Sequence, residues 1–183
     1  MAYGIVELTS VAAHNVDAQN ITFVSSDNIE NGSVFTMGTR VSGNKDEFNA
    51  VKPATANLAK QFYMAASPVR IITTLADGSQ FVDLTMNPKA FINVAGQPID
   101  GVALNRGDRV RISADGLGGT YVGSGSVTTH VVATNDAYKL TWATAAISSL
   151  SLKHVGTSYI SVADSAIGTQ RVTAYDFVVE AIA

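Results

Sequence analysis

The chain of 183 residues contains no cysteine. That absence excludes disulfides, thiolate metal ligands and cysteine nucleophiles together. Charge is scarce as well. Only 15% of residues are Asp, Glu, Lys or Arg, against the roughly one quarter usual in globular domains. A lone monomer with so few charges has difficulty covering its surface, so part of that surface is expected to lie against neighbours. No block of Lys and Arg occurs, and the net charge is −3. Both facts argue against nucleic acid, whose affinity rests on cations facing phosphates, and against an anionic membrane surface. No apolar run reaches the ~18 residues of a membrane span. The first residues lack a basic start and an apolar core, since Glu7 and His14 interrupt them. Synthesis in the cytoplasm is therefore expected.

What is present points to a folded domain. Hydrophobic residues make up 46%, mean hydropathy is +0.19, and the length suits one domain with a substantial core. Charge is unevenly placed. Residues 1–39 hold Glu7, Asp17, Asp27 and Glu30 with no Lys or Arg, which leaves the remainder at +1. This acidic stretch reads as extended, with Tyr3, Ile5, Val6 and Leu8 as an apolar patch before polar Asn15–Asn20. Such a segment adds a strand to a sheet or reaches across to a partner. We divide the chain into an extended N-terminal arm, 1–31, and a β-rich body, 32–183. An arm predicts that removing residues 1–12 leaves the body folded.

Within the body, Asn31-Gly32 marks a turn, and Val34–Met37 reads as a strand with Phe35 and Met37 on one face. Val69–Thr73 and Phe81–Met86 read as strands around an Asp77-Gly78 turn. Asn87-Pro88 has the form of an N-cap followed by proline, so Lys89–Val94 is expected to form one short helix stopped by Gly96. Val51–Met64 is a weaker helix candidate, broken by Pro53. The second half alternates in Arg109–Ser113, His130–Ala133, Lys139–Ala143, Ser151–Val155, Ser158–Val162 and Tyr175–Ile182. Gly107-Asp108, Asn135-Asp136 and Gly168 punctuate these runs. The fold class expected is mainly β, a small barrel or sandwich body with the arm and one short helix.

A search for chemistry finds no active site. His14, His130 and His154 sit in unrelated segments without metal-ligand spacing. Ser124, in Gly123-Ser124-Gly125, lacks the spacing of a nucleophile elbow and reads as a flexible turn. Gly116-Leu-Gly-Gly119 is followed by strand-like residues and no lysine, so it is no phosphate cradle. Asp46-Glu47 are adjacent rather than facing each other across a substrate. Arg106-Gly107-Asp108 spells an adhesion tripeptide, yet reads as a turn entering a strand. Arg109 and Arg111 share one face of that strand and are candidates for contact with an acidic neighbour, such as a sister subunit's arm. No catalytic, cofactor or metal residues are expected, and no small-molecule substrate. Tyr3, Ile5, Val6, Leu8, Arg109 and Arg111 are the candidate partner-binding residues.

The order of several segments resembles the decoration, or cement, proteins of tailed-bacteriophage heads. The segments are Ile29-Glu-Asn-Gly-Ser-Val-Phe-Thr-Met-Gly38, Ala50-Val-Lys-Pro-Ala54, Ala66-Ser-Pro-Val69, Phe91-Ile-Asn-Val-Ala-Gly-Gln-Pro-Ile99, Leu104-Asn-Arg-Gly-Asp-Arg-Val-Arg-Ile112, Tyr138-Lys-Leu140 and Thr173-Ala-Tyr-Asp-Phe-Val-Val179. The Gly- and Ser-rich stretch Gly116–Ser126 departs from that pattern. The resemblance implies a noncatalytic capsid-surface protein of the virion that clamps neighbouring copies of the major capsid protein, as a homotrimer. Other classes remain: a tail or fibre subunit, or a carbohydrate-binding β module using Trp142 if that ring is exposed.

Overall fold

The computed structural model describes residues 2–44, 46–57, 59–69, 71–74, 77, 79–83, 88–121, 128–164 and 168–182. It is mainly β, with a closed five-stranded barrel beside a six-stranded sheet. The barrel is formed by β2 (Asn20–Val24), β3 (Val34–Arg40), β4 (Glu47–Val51), β5 (Phe62–Ala65) and β8 (Pro98–Ala103), in the order β2-β4-β3-β5-β8. The sheet runs β1 (Val6–Ser10), β9 (Arg109–Ser113), β13 (Gly168–Ala181), β12 (Ser151–Asp164), β10 (His130–Val132) and β11 (Thr141–Ala143). β6 (Ile71–Thr74) and β7 (Gln80–Asp83) form a separate hairpin.

Period-two alternation explains how these parts join. Along β5, Phe62 and Met64 face the six-stranded sheet while Tyr63 and Ala65 face the barrel interior. β8 divides the same way, with Val102 outward and Ile99 and Ala103 inward. The barrel is filled by Phe23, Phe35 and Tyr63, with Phe23 lying 4.8 Å from each of the other two rings. Gly101 makes this possible, because a Cβ there would strike the Phe23 ring. Barrel and sheet then share the larger core, in which Val34, Phe62, Met64 and Leu104 meet Ile112, Leu152, Phe177 and Val179. A third apolar cluster, Ile5, Ile160, Val162, Val172 and Ala174, lies on the opposite face of the sheet.

The stretch 1–31 takes the first of its two expected fates and adds strands to the body. β1 pairs antiparallel with β9 through Val6↔Ile112, Glu7↔Arg111 and Leu8↔Val110. β2 closes the barrel between β4 and β8. Ile29 forms a bridge with Asn93, and Asn93 Nδ2 donates to Ile29 O at 2.9 Å and to Asn31 Oδ1 at 3.1 Å. That bridge also corrects the expected helix over Lys89–Val94. Only a single 3₁₀ turn, Pro88–Ala90, forms, because Asn93 exchanges both backbone hydrogen bonds with Ile29. Gly96 still closes the segment in the left-handed region, at φ 77°. The weaker helix candidate reduces to a 3₁₀ turn at Thr55–Asn57. There Asn57 accepts from Ala54 N at 2.6 Å and donates to Lys52 O at 2.9 Å, and the chain then enters β5. Gly78, Leu84–Asn87 and Gly123-Ser124-Gly125 lie outside the described residues.

Candidate functional site

The partner-binding candidates divide sharply once placed. Ile5 is buried in the third cluster, and Val6 and Leu8 pack half-buried against the main core. Tyr3 is half-buried, and its N–H donates to Lys89 O at 2.8 Å. The apolar patch of the first residues therefore packs against the body of the same chain, Ile5 fully and Tyr3, Val6 and Leu8 in part. Arg111 is also satisfied internally. Its Nε donates to Asp176 Oδ1 at 2.7 Å and its Nη1 to Glu7 Oε2 at 3.1 Å. These hydrogen bonds, Asp176 first, raise the guanidinium above its ordinary pKa. Its acidic neighbours within the chain are thus Glu7 on β1 and Asp176 on β13.

The same holds for most of the N-terminal charge. Glu30 Oε2 takes Lys139 Nζ at 3.0 Å and the Gly4 N–H at 2.8 Å. Asp27 takes Lys52 at 3.1 Å, and the Asp27 hydrogen bond raises the Lys52 pKa. Three of the four acids in residues 1–39 thus pair with cations of the body.

Arg109 differs. It is exposed and makes no ion pair among the described residues. It borders an open groove of about 370 Å³ together with Thr9, Arg111, Val155, Asp176 and Val178. Val155 stands out from a bulge in β12 and is 57% exposed. Arg109 is thus the most exposed of the sequence candidates.

The adhesion tripeptide is closed to a receptor. Asp108 is 5% exposed, and its carboxylate accepts from Ala12 N at 2.9 Å and from Asn105 N at 2.7 Å. Trp142 is half-buried. It packs among Tyr121, His154, Tyr175 and Phe177, with ring centroids 4.8 to 5.6 Å away. His154 belongs to that aromatic group, and its Nε2 is buried without a hydrogen-bond partner.

One polar chain was invisible to sequence spacing. His130 Nε2 lies 2.7 Å from Glu180 Oε2, and His130 Nδ1 lies 2.8 Å from Thr129 Oγ1. The pieces are 50 residues apart and meet because β12 holds β10 and β13 on either side. A hydroxyl, an imidazole and a carboxylate in series have the connectivity of a nucleophile relay. Acyl transfer further needs a substrate groove and converging N–H donors for an oxyanion beside that hydroxyl. The chain ties β10 to the C-terminal end of β13. No group of three His, Asp or Glu side chains among the described residues is arranged to hold a metal. Compared with protein-family models, with curated proteins and with solved structures, the chain matches none.

Proposed function

We propose that this chain is a non-enzymatic structural subunit of a virion, binding the outer surface of a phage capsid as a decoration protein and stabilising the assembled shell. The observation that carries this reading is how the chain distributes its charge. Glu7, Asp27, Glu30, Arg111 and Lys139 are consumed in internal ion pairs. Arg109 is left facing outward over a groove bordered by Val155 and Val178. An isolated exposed cation beside apolar contact area suits docking on an acidic protein surface. The order of segments that resembles the cement proteins is what points to the major capsid protein as that surface. A protein that binds only the assembled shell stabilises it by mass action, and repeated weak contacts on a lattice add.

The test is co-sedimentation of the purified chain with shells assembled from the major capsid protein of the same genome. Wild type is expected to saturate the shells and raise their dissociation temperature. Arg109→Glu is expected to lower the affinity for shells at least about tenfold, a loss of ~1.4 kcal/mol per site. Absence of wild-type binding would dismiss the reading.

A further inference from the structure

The long hairpin of the six-stranded sheet outruns its neighbours. β10 pairs with β12 only at Ser151, Leu152 and Lys153. β9 pairs with β13 only from Ala174 to Val178. The β12–β13 ladder continues to Asp164↔Gly168. Beyond these pairings and the His154 N–H bond to Thr129 O, no described strand lies beside either outer edge, and among the described residues no hydrogen bond caps the outward backbone groups of 155–163. A row of unpaired N–H and C=O groups is a template for another strand.

Soluble proteins blunt such edges with charge, proline, shortness or a bulge. The run Val155-Gly-Thr-Ser-Tyr-Ile-Ser-Val-Ala163 contains neither a charged residue nor a proline. Its bulge sits at the base, between His154 and Gly156, leaving the rest regular. Tyr159 is 58% exposed on this strand. Ser158 Oγ is buried and has no hydrogen-bond partner.

We propose that the free edge of β12 pairs with the same edge of a second copy of this chain, antiparallel about a twofold axis, so that the sheet continues across two molecules. Antiparallel pairing of identical strands about a twofold is self-complementary. Because 155–163 is uncharged, no register of this pairing sets like charges opposite one another. The β13 edge is different, since Arg171 lies in its open stretch and self-pairing there brings two arginines onto adjacent strands, directly opposite in the register centred on residue 171. The inference is independent of shell binding, and it names a twofold where the resemblance implies a threefold.

Sedimentation equilibrium and hydrogen exchange test it together. The wild type is expected to be a dimer that dissociates on dilution, with alternate amides of 155–163 losing protection as it does so. The double variant Thr157→Glu, Ser161→Glu alters two exposed positions. In its own chain Glu at 161 faces Arg171, so the hairpin keeps a favourable cross-strand pair. Across the twofold it gathers four carboxylates on adjacent strands and is expected to weaken association at least about tenfold. Thr169→Glu, on the β13 edge, is expected to leave association unchanged. A concentration-independent monomer overturns the proposal, as does a trimer. So does a dimer whose 155–163 amides exchange alike at high and low concentration. A monomer that protects these amides only on shells also overturns it, and assigns the edge to a capsid strand. Should the double variant fail to fold, the wild-type exchange pattern alone decides.

Discussion

At the scale of single residues, several of the chain's few charges act as fasteners. Asp108 shows it most clearly. It begins as the last letter of a surface tripeptide and ends buried, one oxygen holding Ala12 N and the other Asn105 N. Removing its carboxylate leaves two backbone donors without their acceptor. Each hydrogen bond to a charged group contributes about 1.5–3 kcal/mol. Asp108→Ala is expected to lower unfolding stability by about 3 kcal/mol, read from the urea midpoint at unchanged slope. Arg106→Ala, in the same tripeptide, is expected to change it by less than about 0.5 kcal/mol, as for an exposed side chain away from such features. Gly101 is the apolar counterpart. A methyl group there overlaps Phe23 inside a closed barrel, and overpacking of this kind costs about 1–3 kcal/mol. Gly101→Ala is expected to fall in that range, and Gly101→Ala with Phe23→Leu to recover part of the loss. Thermal melts of the two variants check it.

At the scale of elements, the legible parts of the fold were those whose alternation is clean. Arg109–Ser113 coincides with β9, and the Phe35 and Met37 face of β3 is the barrel interior. Ser151–Val155 and Ser158–Val162 were legible as two strands and are one, because the bulge at Val155 shifts the register without ending the ladder. β2 and β8 were missed. Their inward residues Phe23 and Ile99 are flanked by polar and small residues that weaken the pattern, and they become strands only by closing the barrel against each other. Of the candidate surface, the type of residue was legible and its address was not. Arg109 and Arg111 share a face, yet Glu7 and Asp176, more than 60 residues from Arg111 along the chain, decide that only one of them is free. The same long-range pairing settles what the first residues do. Deleting residues 1–12 strips β9 of its partner β1 and removes buried Ile5 and Val11. Each buried side chain contributes about 1.5–3 kcal/mol, so the deletion is expected to cost at least about 3 kcal/mol. Circular dichroism and denaturant titration of the truncated chain should show this loss before any shell is added.

At the scale of the whole molecule, barrel and sheet are one packing problem. β3, β5 and β8 each send one face into the barrel and the other into the core shared with the sheet, so neither part can open without exposing the other. Three tyrosines report on this arrangement. Tyr63 fills the barrel, Tyr175 belongs to the aromatic group on the sheet, and Tyr138 meets Ser25 Oγ at 3.3 Å. Burial raises the pKa of all three phenols above the ordinary value. The sign of the consequence is fixed by linkage. Below about pH 10, the unfolded value, both states hold these protons and the contribution is fully present. As pH rises past that value the unfolded chain releases protons that the folded chain retains, so stability falls until the folded pKa values are passed. Alkaline titration is therefore expected to show these phenolates appearing together with the loss of β structure, in a single cooperative transition. Tyr63→Phe is expected to move that transition to higher pH. Phenolate absorbance followed alongside far-ultraviolet circular dichroism makes the comparison. Two separate transitions, one for the barrel and one for the sheet, would show that the shared core does not bind them into a single unit.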